Sequence, residues 1–221
     1  MPLIRGVFLK NIIMKAQTKA TQDQMTPMSA LKELVNGNER FVQKKQFNRD
    51  LMQQVAETST GQFPFATVLS CIDSRVSSEL IFDQGIGDIF SVRIAGNFVN
   101  EDILGSMEFA CKLAGTKLIL VLGHTACGAV KGACDHARLG NLTTLINKIE
   151  PAVAAVKEPA DETLRNSSNS EFVNEVAAVN VKMTIEAIRA QSEVLKEMED
   201  GGEIKIMGGM YHIDTGRVEI Y

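Results

Sequence analysis

Three strand-like runs stand out in the hydrophobic pattern of the chain. They are Phe65-Ala66-Thr67-Val68-Leu69-Ser70, residues 88–94, and Lys117-Leu118-Ile119-Leu120-Val121-Leu122. The first, Phe65 to Ser70, is continuous and apolar and fits a buried strand of a parallel sheet, and the other two read as a second and a third strand. Between and after them the period becomes helical. Residues 101–114 predict a helix with Ile103, Leu104, Met107 and Cys111 on one side. Residues 126–137 predict another, and two longer helices are expected over 142–156 and 171–198, with a polar loop at 158–170. A last strand over 204–211 and a hairpin partner over 217–221 flank the turn Asp214-Thr215-Gly216. Upstream, Thr26-Pro27 reads as a helix cap followed by proline at the first position. Leu31, Leu34, Val35, Phe41 and Val42 then share one face, and a second helical stretch follows near 51–55. Strands alternating with helices predict an α/β fold with a mostly parallel central sheet flanked by helices. Residues 1–26 are expected to form an N-terminal helical arm or extension, and residues 27–221 a single α/β domain.

Composition narrows the function classes. In 221 residues, 45% are hydrophobic and 23% charged, which supports a folded core and argues against disorder. A net charge of −4 with no basic footprint argues against nucleic acid as a partner. No run approaches the roughly 20 apolar residues of a spanning helix, so no membrane is expected. The first 22 residues carry Arg5, Lys10, Lys15 and Lys19 and no acid. That start reads as an arm, with organellar targeting as the alternative. Cys71, Cys111, Cys127 and Cys134 are too sparse for a disulfide framework, so a thiol-reducing, cytoplasmic setting is expected.

The candidate chemistry lies at two strand ends. Cys71-Ile72-Asp73-Ser74-Arg75 closes the first strand, and Gly123-His124-Thr125-Ala126-Cys127-Gly128 closes the third. Parallel sheets bind ligands beyond the carboxyl ends of their strands. Two thiolates and one imidazole suit zinc, and three protein ligands leave a fourth place for water, as in catalytic sites. Asp73 and Arg75 are spaced to pair, which would keep the carboxylate anionic beside the metal. Released by Arg75, Asp73 could instead take the open place. A plain ion pair that stabilises the loop is the simpler alternative. Cys71 as nucleophile of an anion-cradling loop fits poorly: such a loop needs arginine six positions on, where this chain has Ser77.

With these motifs the chain resembles the β-class carbonic anhydrases from about residue 31 to its end. The resemblance implies a sheet of order 2-1-3-4 plus an antiparallel edge strand. It implies Zn2+ held by Cys71, His124 and Cys127, with Asp73 and Arg75 as the catalytic dyad. It assigns substrate contacts to Gln62, Phe90, Ala95, Phe109 and Gly128; Ala95 stands where Val is common, and Phe109 where Tyr is common. The implied assembly is a homo-oligomer, a dimer or dimer of dimers, with some pocket residues serving the neighbouring subunit. The implied activity is that of a carbonate dehydratase, a lyase: reversible hydration of carbon dioxide to bicarbonate and a proton, by zinc-hydroxide attack. Hydrolysis of carbonyl sulfide or carbon disulfide at the same site is an alternative, as is a catalytically idle zinc-stabilised binding protein. His136 and His212 are proton-carrier candidates by residue type alone.

Overall fold

The computed structural model describes residues 14–221, so Arg5, Lys10 and the apolar positions before Met14 lie outside the described residues. Five strands form one sheet in the order β2-β1-β3-β4-β5. β1 (Ala66–Ser70), β2 (Ile89–Arg93), β3 (Leu118–His124) and β4 (Lys205–Tyr211) are parallel, and β5 (Val218–Ile220) runs antiparallel to β4. The expected order and edge strand are therefore present. β1 and β3 are buried along their whole length, as their unbroken apolar runs require. β2 alternates buried and open positions, which suits its place at the edge.

The register places the chemistry. Ser70 pairs with Leu122, so Cys71 leaves the end of β1 beside Gly123 and His124, the last two residues of β3. Successive residues of β3 feed opposite layers. Ile119 and Val121 pack with Val173 and Val181 beneath one helical layer, whereas Leu118, Leu120 and Leu122 pack with Leu34, Phe65 and Phe82 beneath the other.

The N-terminal elements are α1 (Lys19–Asp23), α2 (Pro27–Val42) and α3 (Leu51–Thr58), with a short α4 (Ser78–Ile81) after β1. Thr26 caps α2 in a reciprocal capping box with Ser29, and Pro27 opens it, as its sequence indicates. Gln22 of α1 is buried, and its amide donates to Pro64 O at 2.7 Å and Ala114 O at 2.8 Å. Helix α1 is thus anchored onto the sheet-bearing body.

Four expected helices have different bounds. The 101–114 helix is α5 (Glu101–Glu108), continued by a π-helical turn over Phe109–Leu113. The helix expected from residue 126 starts later, as α6 (Gly128–Cys134), because Ala126 has φ +53° and cannot be helical. The 142–156 stretch is two helices, α7 (Gly140–Asn147) and α8 (Glu150–Ala155), with Pro151 in the first turn of the second. The 171–198 stretch is likewise α9 (Ser170–Gln191) and α10 (Glu193–Asp200). Ser192 breaks it with extended backbone (φ −122°, ψ 102°) and caps α10 through the Leu195 amide. Among the described residues no helix is long and apolar enough to cross a membrane.

Candidate metal centre

Cys71, His124 and Cys127 converge at the carboxyl ends of β1 and β3. Their ligand atoms all lie within 4.8 Å of one another, and the side chains are buried, at 3%, 0% and 1% exposure. His124 Nδ1 is 2.9 Å from Thr125 O. A carbonyl can only accept, so Nδ1 carries the proton and Nε2 presents its lone pair. That Nε2 is buried and has no hydrogen-bond partner. An orphaned buried acceptor costs about 1–3 kcal/mol unless something binds it.

The donor set fits zinc. Two sulfurs at about 2.3 Å from a tetrahedral ion stand about 3.8 Å apart, and here the Cys71 and Cys127 sulfurs are 3.9 Å apart. Calcium and magnesium would demand oxygen ligands. The hydrogen bond from Cys127 pulls Cys71 down to about 4 against the effect of burial, helped by His124 and the Gly96 amide. The same hydrogen bond, together with burial and the negative sulfur of Cys71, pushes Cys127 up. A bound metal ion would hold both as thiolates.

The acidic loop is built as its spacing suggests. Arg75 grips Asp73 with Nε on Oδ1 at 2.9 Å and Nη2 on Oδ2 at 2.7 Å, and its backbone amide adds a third bond to Oδ1 at 3.0 Å. The guanidinium holds the Asp73 carboxyl well below the usual carboxylate range, overcoming partial burial. Asp73 Oδ2 lies 3.9 Å from His124 Nε2, so the carboxylate borders the ligand cluster.

Several residues missed in the sequence hold these loops. Arg93, from the end of β2, donates to Cys71 O at 3.0 Å and Asp73 O at 2.8 Å. The Gly96 amide reaches Cys71 Sγ at 3.4 Å, and Asn180 of α9 donates to Gly96 O at 2.8 Å. Asn174 accepts from the Ala126 amide at 2.9 Å. One signal was available: asparagine within an apolar helical stretch is unfavourable unless it has a partner.

The remaining candidates divide into two groups. Ala95 adjoins Gly96, and Gly128 opens α6 next to Cys127, so both lie at the site. Gln62 is exposed in the loop that enters β1, at the opposite end of that strand from Cys71. Phe90 pairs with Thr67, four residues and about 13 Å of strand before Cys71. Its ring meets that of Phe109, half exposed on the π-helical turn, at 6.3 Å and 64°. The chain therefore does not bring Gln62 or Phe90 to its own Cys71-His124-Cys127 cluster, because strand direction carries them away from it, and Phe109 packs beside Phe90. His136 pairs with Glu150 at 3.1 Å, and His212 lies 3.8 Å from Glu219.

Comparison with known proteins agrees with this geometry. Residues 66–218 match the family model described as carbonic anhydrase. Carbonic anhydrase 2 of Mycobacterium tuberculosis is 36% identical over 197 residues, covering 86% of this chain and 91% of the relative. The carbonic anhydrase of Mycolicibacterium smegmatis is 34% identical over 200 residues, covering 88% and 93%. A β-carbonic anhydrase structure from Aspergillus fumigatus has a TM-score of 0.66 at 25% identity over 88% of this chain and 89% of that one. A tetrameric β-carbonic anhydrase from Sordaria macrospora shares the fold, with a TM-score of 0.66 at 21% identity over 87% and 96%.

Proposed function

The chain belongs to the carbonic anhydrase family, in its β class, and from that premise we propose that it hydrates carbon dioxide reversibly to bicarbonate and a proton at a zinc ion held by Cys71, His124 and Cys127. The observation that carries this reading is the orphaned His124 Nε2 facing two sulfurs 3.9 Å apart, beside an arginine-paired carboxylate. Zinc there would supply Lewis acidity that makes water a competent nucleophile near neutral pH.

The protein's own groups do the rest. Asp73, kept anionic by Arg75, accepts a hydrogen bond from the reacting water and aims its lone pair at carbon dioxide. Arg93 keeps that carboxylate in place by bracing the carbonyls on either side of the loop. The Gly128 amide, free at the start of α6, points a donor at a substrate oxygen. Ala95 supplies apolar wall on the same side. Gln62, Phe90 and Phe109 complete the pocket of a neighbouring protomer, in a homodimer or dimer of dimers; their distance from their own chain's Cys71 supports this arrangement. The proton passes to buffer. The four described cysteines are buried and free, which suits a reducing, cytoplasmic setting. Residues 27–221 act as one catalytic domain, with the preceding segment as an arm docked through Gln22.

Stopped-flow hydration assays on zinc-loaded protein test the proposal. Asp73→Ala should lose most turnover while keeping zinc, and Cys127→Ser should lose the metal. Full turnover in either variant would refute its assigned role. Background-rate hydration by zinc-loaded wild type would point to an idle scaffold, and parallel assays with carbonyl sulfide and carbon disulfide would expose the hydrolase alternative.

A further inference from the structure

Two turns next to the sulfur ligands use left-handed backbone, which glycine adopts freely and alanine does not. Gly96, whose amide meets Cys71 Sγ, has φ +81°, and Ala126, which precedes Cys127, has φ +53°. A non-glycine residue held in the left-handed region costs about 1–3 kcal/mol and persists only where its surroundings impose it. One helix supplies those surroundings at both turns. Asn174 Oδ1 accepts from the Ala126 amide at 2.9 Å, and Asn180 Nδ2 donates to Gly96 O at 2.8 Å. The Gly96 peptide thus links Asn180 on its carbonyl side to the Cys71 sulfur on its amide side. Asn180 is only 3% exposed, in a helix whose other buried residues are mostly apolar. A buried amide in that setting is costly without a partner, and its partner here is Gly96, in the turn after β2 whose amide meets the Cys71 sulfur.

We infer that Asn174 and Asn180 are positioning residues: from a single rigid helix they set the approach of the Cys71 and Cys127 sulfurs, so that the metal site is assembled before the ion arrives. This rests on the zinc reading proposed above. The two side chains are six positions apart on α9, about 9 Å along its axis. They hold loops that come from different strands. The hydrogen bonds of both asparagines go to backbone groups, the Ala126 amide and the Gly96 carbonyl, and so act on the ligands through those turns.

The two amides act by opposite chemistry, which makes the test specific. Asn174 works as an acceptor, so Asn174→Asp keeps the bond and Asn174→Leu removes it. Asn180 works as a donor, which Asn180→Ala removes. Zinc affinity is measured by competition with a chromogenic chelator, and cobalt(II) substitution reads the thiolate charge-transfer band. Thermal unfolding of each metal-free variant checks the fold. Asn174→Leu and Asn180→Ala should each weaken zinc binding about tenfold or more and alter the cobalt band, while Asn174→Asp stays within about threefold of wild type. If Asn174→Leu does not fold, Asn174→Ser replaces it with the same expectation. Affinities within about twofold of wild type for the Leu (or Ser) and Ala variants, with unchanged cobalt bands, overturn the inference alone. A wild-type protein that binds no zinc overturns the metal reading and this inference with it.

Discussion

Replacing Arg75 with alanine should turn the Asp73 carboxylate from a helper of the reaction into a competitor for the metal. Two guanidinium bonds, at 2.9 and 2.7 Å, now hold that carboxylate, while its Oδ2 lies only 3.9 Å from His124 Nε2. Arg75 is 51% exposed, so water and salt screen the pair; its bidentate geometry keeps it at about 1–2 kcal/mol. Removing that much shifts the balance between the held and released carboxylate by a factor of about 5–30. Hydration near neutral pH should therefore fall by about tenfold, with zinc content unchanged. Stopped-flow indicator assays read the rate, and X-ray absorption at the zinc edge should show a carboxylate oxygen joining the coordination shell. Arg75→Lys, which keeps the charge but loses the fork, should fall between wild type and alanine. The double variant Asp73→Ala/Arg75→Ala should be no slower than Asp73→Ala alone, because Arg75 acts through the group already removed. Wild-type turnover in a fully zinc-loaded Arg75→Ala protein, or losses that simply add in the double variant, would refute the reasoning.

Gly123→Ala should destabilise the protein by about 1–3 kcal/mol, because the new Cβ would lie 2.6 Å from Val181 Cγ2 and 2.7 Å from Met210 Sδ; an unchanged melting temperature would contradict the tight contact between β3 and α9. Glu199→Gln tests the junction of α9, α10 and β4, where the carboxylate accepts from Arg189 Nε at 2.7 Å, Arg189 Nη2 at 3.0 Å and the Ile206 amide at 3.0 Å. Burial pushes the Glu199 carboxyl up, but Arg189 and the amide outweigh it and hold it below its usual value. A depressed carboxylate stabilises fully above its unfolded pKa, about 4.3, and loses that contribution as pH falls through the folded value. The variant's Tm should thus be lower by about 2–4 °C at neutral pH, with the gap closing below about pH 4; a gap independent of pH would contradict the ionic account. Gln62→Ala should lower kcat/KM about tenfold at unchanged zinc content if Gln62 serves a neighbouring protomer, and unaltered kinetics would remove it from the pocket.

The sheet was legible because burial writes directly into sequence. β1 and β3 are buried at every position and carry only Thr67, Ser70 and His124 as polar side chains, because a strand covered on both faces leaves little room for others. Helix boundaries were less legible, since periodicity records which side faces the core and not whether the backbone is continuous. α9 and α10 keep apolar residues in step across Ser192, yet that residue leaves helical geometry and caps the next helix. The break at Pro151 had a visible cause, but proline is tolerated in a first turn and so marks a start as readily as an interruption. The π-helical turn at Phe109–Leu113 carries no local signature, and it shows only in the pairing of its carbonyls and amides.

The site was legible to the same degree and for a related reason. Metal ligands must offer particular atoms, so Cys71, His124 and Cys127 stand out as candidates by residue type, and β1 and β3 pair in a register that brings them together. Groups that hold the ligands face no such restriction. Any amide or guanidinium of suitable reach would serve, and Arg93, Asn174 and Asn180 come from elements 22 to 84 positions away from the loops they bond. Only the folded chain brings them there. Residues such as Gln62 and Phe90 are further removed, because a single chain directs them away from its own Cys71. Legibility thus declines outward from the proposed metal centre, from atoms fixed by coordination chemistry, through loops fixed by hydrogen bonds, to a proposed pocket wall that would depend on how two copies meet. Substitutions should follow the same gradient. Changes at Cys71 or Cys127 should abolish zinc binding outright, changes at Asn174 or Asn180 should weaken it by a measurable factor, and changes at Gln62 should leave it untouched while slowing turnover.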